Sequence, residues 1–199
     1  MMTPRFSIAV AAVAWMLAST GSFFAAGSPT EAAERAQFEE NLVLGGGTIQ
    51  WKGILEEGKP EVILSGKDFE DIERKAKDLN PSYTIFATEN STALEARGEA
   101  LKGRQTASVD AIREGIAYLR TILGQCRADP GPWSCGRVSC SRNSAIHYCN
   151  DNSEEHWEPC RWIGDVAEGI VRLCENNGGV SGEARDQRRW YTVVGRGNC

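Results

Sequence analysis

The first 125 residues of this 199-residue chain contain no cysteine, and all seven cysteines lie between Cys126 and Cys199. A short oxidised domain buries too little apolar surface to offset its conformational entropy, so disulfides supplement its core. The uneven distribution therefore predicts a front part that folds without covalent help and a back part that depends on cross-links.

Lysine is missing from the back of the chain, where the last one is Lys102. From Gln105 onward, eleven arginines face twelve Asp and Glu residues, which gives a formal charge of −1. Nucleic-acid binding needs clustered positive charge to contact phosphates. The nearly neutral back part therefore argues against a nucleic-acid partner.

The chain also lacks an apolar run of the roughly 20 residues that a membrane-spanning helix needs. Its longest run, residues 6–18, follows a short positively charged start and precedes a series of small residues. This layout is typical of a secretory signal peptide, predicted over residues 1–27, rather than of a membrane anchor. We expect a secreted, extracellular product with no transmembrane anchor after cleavage.

Residues 28–104 are predicted to be a pro-segment or N-terminal region, followed by a cysteine-rich secreted domain over residues 105–199. Single arginines at Arg97 and Arg104 follow small or polar residues in a stretch without periodicity, as exposed protease sites do. The stretch resembles the pro-segment junctions that kexin-type proteases cut in fungal secreted proteins, although it has no dibasic pair. An ordinary interdomain linker is the alternative.

The front region has the pattern of a cysteine-free α/β unit. Strands are predicted over residues 48–51, 61–64 and 83–87, and a helix over residues 67–79. The apolar positions of that helix share one face and are Phe69, Ile72, Ala76 and Leu79. Asn90 begins an Asn-Ser-Thr sequon and is a candidate glycosylation site in an exposed loop.

The back region predicts an α+β domain with a helix followed by a strand–helix–strand unit. Ser108 can cap the first helix and Gly124 can end it. Its apolar stripe contains Val109, Ile112, Ile116, Leu119 and Leu123. A strand is predicted over residues 144–150, a helix over residues 159–176 with Pro159 in its first turn, and a strand over residues 190–194.

The second helix restricts disulfide pairing. Cys160 and Cys174 share one helix face but lie roughly 21 Å apart, whereas a disulfide needs Cα atoms within about 7 Å. Each must therefore join the helix to another element, with Cys149 and Cys199 as candidate partners. The odd cysteine is predicted to be Cys126, free or used between chains, because it precedes the turn-rich core that begins at Trp133. The remaining disulfide candidates are Cys135, Cys140, Cys149, Cys160, Cys174 and Cys199.

Paired cysteines at the spacing of a structural zinc site are also missing. Zinc sites favour C-x2-C or similar pairs, whereas Cys135 and Cys140 are separated by four residues and no second pair follows. Behind a signal peptide, disulfides are the preferred interpretation, and we predict neither a metal nor a cofactor.

Several short segments of the back region, taken together, carry a resemblance to a known group of proteins. They are Cys135-Gly136-Arg137-Val138-Ser139-Cys140, Ser144-Ala145-Ile146, Cys149-Asn150-Asp151-Asn152, an apolar helix ending in Cys174, Trp190 with Val193-Val194, and Asn198-Cys199. Over residues 133–199 the chain resembles small cysteine-rich proteins secreted by filamentous fungi. Its strand–helix–strand order is more weakly similar to the fungal killer-toxin and necrosis-inducing-factor families. Their characteristic cysteine clusters are not present, so no functional residue is carried over.

The resemblance implies a secreted α/β domain, effector-like or toxin-like, that acts by binding rather than catalysis. The extracellular target is a protein, a glycan or a lipid surface, and the resemblance does not say which. It does not specify the oligomeric state either. The best surface candidate for an anionic or carbohydrate partner is a short basic patch next to two aromatic residues, consisting of Arg185, Arg188, Arg189, Trp190 and Tyr191.

A small secreted hydrolase, most simply a ribonuclease, is the alternative function. Such enzymes use two histidines, or a histidine with a glutamate, together with arginine. His147 lies on a predicted strand, and His156 lies in an acidic turn with Glu154, Glu155 and Glu158. The arginines that could hold phosphate are Arg142, Arg161, Arg188 and Arg189. No spacing among them selects a catalytic set, so none is assigned. A cell-wall-associated structural protein also fits the predicted signal and cysteines.

Overall fold

The structure is a computed structural model that describes residues 48–86, 99–101 and 104–199. The predicted signal peptide, the sequon at Asn90 and the processing site at Arg97 lie outside these residues and stay predictions. Arg104 is described and is partly exposed in a bend.

The described residues form a mixed α+β fold with three helices, which confirms the predicted class. The helices are α1 (Phe69–Leu79), α2 (Val109–Thr121) and α3 (Cys160–Cys174). The strands are β1 (Ile49–Gly53), β2 (Val62–Gly66), β3 (Glu99–Ala100), β4 (Ala107–Ser108), β5 (Gln125–Ala128), β6 (Ser134–Ser141), β7 (Ser144–Asn150), β8 (His156–Pro159), β9 (Gly179–Val180), β10 (Gly182–Arg185) and β11 (Trp190–Arg196).

A four-stranded antiparallel sheet joins the front of the chain to its back in the order β2-β1-β5-β8. Trp51 on β1 lies opposite Leu64 on one side and Cys126 on the other. Cys126 in turn lies opposite Glu158 on β8. The front strands are therefore part of the same sheet as strands of the cysteine-rich region.

A five-stranded antiparallel sheet has the order β3-β10-β11-β7-β6. Helix α2 packs over β6 and β7, α3 packs over β10 and β11, and the two helices pack against each other. Gly164 permits their close approach, because a Cβ atom there would lie 3.2 Å from the Ile116 carbonyl oxygen. Strands β4 and β9 form a separate two-stranded pair.

The predicted alternation of β7 is confirmed. Ile146 and Tyr148 belong to the main core under the helices, whereas Cys149 packs with Tyr191 and Val193 on the other side of the sheet. The predicted stripe of α2 is buried except for Leu123, which lies beyond the helix end and is exposed. Ser108 occupies the N-cap of α2 but makes no capping hydrogen bond with its side chain.

In the front region, the first two predicted strands and the helix are confirmed as β1, β2 and α1. Asp68 caps α1 by accepting a hydrogen bond from the Asp71 N–H at 2.8 Å. Residue 87 of the strand predicted over residues 83–87 lies outside the described residues, and residues 83–86 are not a strand, since Phe86 forms only an isolated bridge with Ile122. The physical reason is that the Ile85 N–H donates to the Glu73 carboxylate at 2.8 Å instead of to a neighbouring strand.

One apolar cluster runs through both sides of the proposed division at residue 104. Trp51, Phe69 and Ile72 belong to it together with Ile116 and Ile163. The front and back regions therefore share a core.

Three disulfides connect cysteines of the back region. They are Cys126–Cys160, Cys135–Cys149 and Cys140–Cys199, with Cα atoms 5.1, 4.1 and 5.4 Å apart. The inference that Cys160 and Cys174 cannot pair with each other is confirmed. Cys135 and Cys149 face each other on β6 and β7, so this bond cross-links adjacent strands.

The prediction of the odd cysteine is wrong, because Cys126 is bonded and Cys174 is the free thiol. Strand β5 pairs with β8, and β8 leads directly into α3, so Cys126 lies beside the first residue of that helix. Cys174 lies at the opposite end of α3. The suggested helix partners, Cys149 and Cys199, are bonded within and beside the five-stranded sheet instead.

Replacing Cys126 and Cys160 together with serine should lower the free energy of unfolding by about 3 kcal/mol, because the open chain regains the entropy of a closed loop. Cys174→Ser is the matched control and should change it by less than about 1 kcal/mol. Urea unfolding measures both effects. Thiol titration in denaturant should find one thiol in the wild type and none in the Cys174→Ser variant; the reverse assignment of the odd cysteine would contradict the structure.

Candidate functional site

The predicted binding patch lies on the hairpin formed by β10 and β11. The Arg189 N–H donates to the Asp186 carbonyl oxygen at 3.1 Å, and the Asp186 N–H donates to that of Trp190 at 2.8 Å. Arg189 has a φ of 64°, which closes the turn in the left-handed region. We refer to residues 186–189 as the hairpin loop.

The two aromatic residues of the patch are not on the surface. Trp190 and Tyr191 are buried, with exposed fractions of 3% and 0%. Because β11 is a central strand, its alternation directs Trp190 towards Tyr148 in the core and Tyr191 towards Cys149 on the other side. Their assignment to a binding surface is therefore wrong.

Arg185 is neutralised by two carboxylates. Its Nε donates to Glu183 and its Nη1 to Asp151, each at 2.8 Å. Its guanidinium also lies 4.0 Å from the centre of the Tyr191 ring and 5.6 Å from that of Trp133. Arg185 is thus held in place by charge and by ring stacking.

Arg188 is neutralised in the same way. It lies 2.6 Å from a carboxylate oxygen of Glu158 and 2.9 Å from one of Asp186. The predicted patch contains three arginines. The ion pairs of Arg185 and Arg188 bring four carboxylates next to them, those of Asp151, Glu183, Glu158 and Asp186, so negative charges outnumber positive ones. The sequence-based expectation of a positively charged surface is therefore wrong.

The backbone of the hairpin loop is fixed by the segment after β7. The Asn152 side-chain amide donates to the Arg188 carbonyl oxygen at 2.9 Å, and the Asp151 N–H donates to that of Arg189 at 2.9 Å. None of the ion pairs between described residues involves Arg189, which is exposed at the end of the loop. The loop is therefore hydrogen-bonded to this segment, and Arg189 is its arginine outside the described ion pairs.

A second group of polar residues lies directly behind the loop. The Tyr148 hydroxyl is 2.6 Å from Nδ1 of His156, and Nε2 of His156 is 3.8 Å from Glu158 Oε1. Glu158 is buried and contacts Arg188, while the His156 ring stacks on Trp190. We refer to Tyr148, His156, Glu158, Arg188 and Asp186 as the His156 cluster.

Burial dominates the protonation of this cluster. Burial raises the pKa of the Tyr148 hydroxyl far above its usual value of 10.0. Burial, assisted by the charge of Arg188, lowers the pKa of His156 below 6.5. Burial also raises the pKa of Glu158 above 4.5, although Arg188 opposes this shift. At neutral pH, Tyr148 and His156 are therefore both neutral.

This protonation state fixes the hydrogen bonding of the imidazole. A protonated phenol donates to Nδ1 of His156, which leaves the hydrogen on Nε2, facing the Glu158 carboxylate. The opposite tautomer would direct a lone pair at a carboxylate. The cluster thus places a neutral imidazole and a buried carboxylate side by side, with Nε2 and Oε1 3.8 Å apart.

The two histidines do not form one site. His147 is buried on the face of β7 opposite Tyr148, and His156 contacts Tyr148. Of the arginines that could hold phosphate, only Arg188 lies in the His156 cluster, and Arg142 pairs with Glu114 at 2.8 Å. Arg161 is exposed on α3.

The acidic partners in this region were missed by sequence reasoning. Glu183 with Arg185, and Asp186 with Arg188, have the two-residue spacing that could have indicated local pairs. Asp151 and Glu158 are 34 and 30 residues from their arginines, so sequence spacing carries no such signal.

A cleft of about 500 Å³ lies on another part of the molecule, where α1, α2 and β6 meet. Tyr118, Arg137 and Ser139 are among its lining residues. It contains no residue of the His156 cluster and none of the predicted patch.

Within the described ranges, no group of three or more histidine, cysteine, aspartate or glutamate side chains is arranged to hold a metal ion. None of the helices in the same ranges has the length and apolar character that a membrane crossing requires. No protein-family model matches this chain, and no curated protein matches it. The resemblance to fungal secreted proteins therefore stays a prediction.

The lowered pKa of His156 predicts an acid-sensitive fold. Folding favours the neutral form of His156. The stability that this provides is complete above pH 6.5, the usual pKa of histidine, and is lost as the pH falls towards the lower pKa of the folded protein. Glu158 acts in the opposite direction, because its raised pKa favours the protonated folded form above pH 4.5. Comparing the wild type with His156→Asn separates the effect of His156 on stability from that of Glu158.

The wild type should lose more unfolding free energy than His156→Asn between about pH 7.5 and about pH 5.5, because only the wild type carries the histidine. Urea unfolding at a series of pH values measures this difference. Parallel pH profiles for the two proteins would show that His156 is not the responsible group.

The ion pair between Arg188 and Glu158 predicts different roles for Arg188 and its neighbour Arg189. Arg188→Gln should lower the unfolding free energy by about 2 kcal/mol, because it leaves the buried Glu158 carboxylate without its charged partner. The loss is smaller than for a fully buried ion pair, because Arg188 itself is exposed to solvent. Arg189→Gln is the matched control, expected within about 0.5 kcal/mol of the wild type. Adding Glu158→Gln to Arg188→Gln should restore most of the loss, and a failure of this rescue would contradict the pairing.

Proposed function

We propose that this chain is a secreted, disulfide-stabilised binding protein, effector-like or toxin-like, that is matured from a precursor near Arg97 or Arg104. The observation that carries the proposal is the hairpin loop, which is exposed, is hydrogen-bonded to the segment after β7 and ends in an arginine outside the described ion pairs. A loop held in one conformation by such bonds loses little conformational entropy when it binds a partner.

The three disulfides support the extracellular part of this proposal, because structural disulfides persist in oxidising compartments. The charge balance of the loop region refines the partner. Since Arg185 and Arg188 are already paired, recognition would involve Arg189 and the neighbouring Gln187 rather than a broad positive surface. A carboxylate or sulfate on a protein or glycan, or a lipid phosphate, suits a single arginine.

Expression of the full chain in a eukaryotic secretory host tests the compartment and the maturation. We expect the protein in the medium, with six cysteines oxidised, a first N-terminus near residue 28 and a new one at residue 98 or 105. Intact mass and N-terminal sequencing measure these features. Retention inside the cell with reduced cysteines would contradict the proposal, and retention at the cell wall would favour the structural-protein alternative.

Binding of the secreted material to intact cells, isolated cell walls and anionic vesicles tests the role of the loop. Arg189→Ser should weaken binding by about fivefold or more, since one charge-assisted contact contributes about 1 kcal/mol or more. Arg161→Ser removes another exposed arginine and should leave binding unchanged. Equal binding by both variants and the wild type would remove the loop from the proposal.

A hydrolase, most simply a ribonuclease, is the second candidate function. It is favoured by His156, Glu158 and Arg188 lying together, since general acid–base catalysis of phosphoryl transfer needs these residue types. RNA cleavage that is present in the wild type, lost in His156→Ala and kept in His147→Ala would favour the hydrolase over the binding protein.

A further inference from the structure

The front and back regions meet at a surface built around Trp51. This side chain is completely buried, and its indole N–H donates to the Leu123 carbonyl oxygen. Gly124 lies directly against the ring: a Cβ atom at this position would be 2.6 Å from the indole nitrogen. Gly124 also has a φ of 90°, so glycine is required there both for conformation and for space.

Further contacts surround this anchor. The rings of Phe69 and Phe86 lie 6.0 and 5.6 Å from the ring of Tyr118 on α2. The Leu123 N–H donates to the Ile85 carbonyl oxygen at 2.5 Å. Central aromatic residues surrounded by polar contacts are also what protein–protein interfaces contain.

The backbone contact at this surface is a strand addition. Strand β1 lies beside β5, with Trp51 opposite Cys126 and Lys52 opposite Gln125. Arg127 on β5 also donates to the Gln50 side-chain oxygen at 2.5 Å. One edge of β5 thus accepts a strand from the front region, and its other edge pairs with β8 within the back region.

No disulfide crosses this surface. All seven cysteines lie from residue 126 onward, and the three bonds connect residues of the back region only. The only covalent connection between the front elements and the back region is therefore the backbone after Phe86.

We propose that the back region is a strand acceptor, and that cleavage between residues 86 and 99 leaves the front region bound to it as a separate, non-covalent chain. Strand β1 is the donated strand and Trp51 its anchor. The natural occurrence of the two-chain form rests on maturation at Arg97, one of the two sites proposed above, whereas the acceptor surface does not. The mature protein would then be a complex of two chains from one precursor.

A specific protease cut tests this proposal on the full chain. A recognition sequence for a site-specific protease replaces residues 89–95, and the folded protein is cut after purification. At about 10 μM the two fragments should elute together in native gel filtration, and in urea without reductant they should elute apart. Separate elution under native conditions would overturn the proposal.

Two variants of the cuttable chain test whether the anchor is responsible. Trp51→Leu should weaken the association of the cut fragments by roughly 100-fold, the effect expected for a central aromatic anchor. Ile63→Ala is the matched control, because Ile63 is on β2 in the same front region but is exposed. Equal association in both variants would overturn the role of Trp51.

An exchange experiment covers the case in which Trp51→Leu does not fold. Cut wild-type protein is unfolded in urea without reductant together with an excess of isotope-labelled front fragment, the urea is removed, and native mass spectrometry follows incorporation of the label. A complex of one labelled front chain and one back chain supports the proposal, and back chains that refold without any front fragment overturn it. Because the cut is made in vitro, none of these outcomes depends on natural processing or on the extracellular target.

Discussion

The backbone pairing of β5 with β1 on one side and β8 on the other is the interaction on which this architecture depends. It joins the cysteine-free front to the cross-linked back in one sheet. The same short strand carries Cys126, whose disulfide fixes the start of α3. Through that helix, the four-stranded sheet is connected to the helix pair that covers the five-stranded sheet.

Much of this fold could be predicted from the sequence, because several elements have a strong apolar period. Helices α1, α2 and α3 each bury one face, and β7 alternates between two apolar environments. Strand β6 was missed for the opposite reason. Most of its residues are small or polar and only Val138 is buried, so it has no apolar pattern and is held at the sheet edge by backbone pairing and by Cys135.

The site was less predictable, because its properties arise from distant partners. The position of Arg188 in the chain identifies a charge but not Glu158, the buried carboxylate that neutralises it. The free thiol was assigned to Cys126 by its distance from the turn-rich segment, yet strand pairing brings Cys126 next to Cys160. Pairing across a sheet is decided by topology, which local residue patterns do not specify.

The indole of Trp51 bonds to a carbonyl 72 residues further along the chain. Such a long separation has a cost during synthesis, since contacts between distant residues form late. The β1–β2 hairpin emerges from the ribosome with an aromatic side chain and an open strand edge before β5 exists. Until β5 is synthesised, that edge of β1 has no partner, and unpaired strand edges favour aggregation.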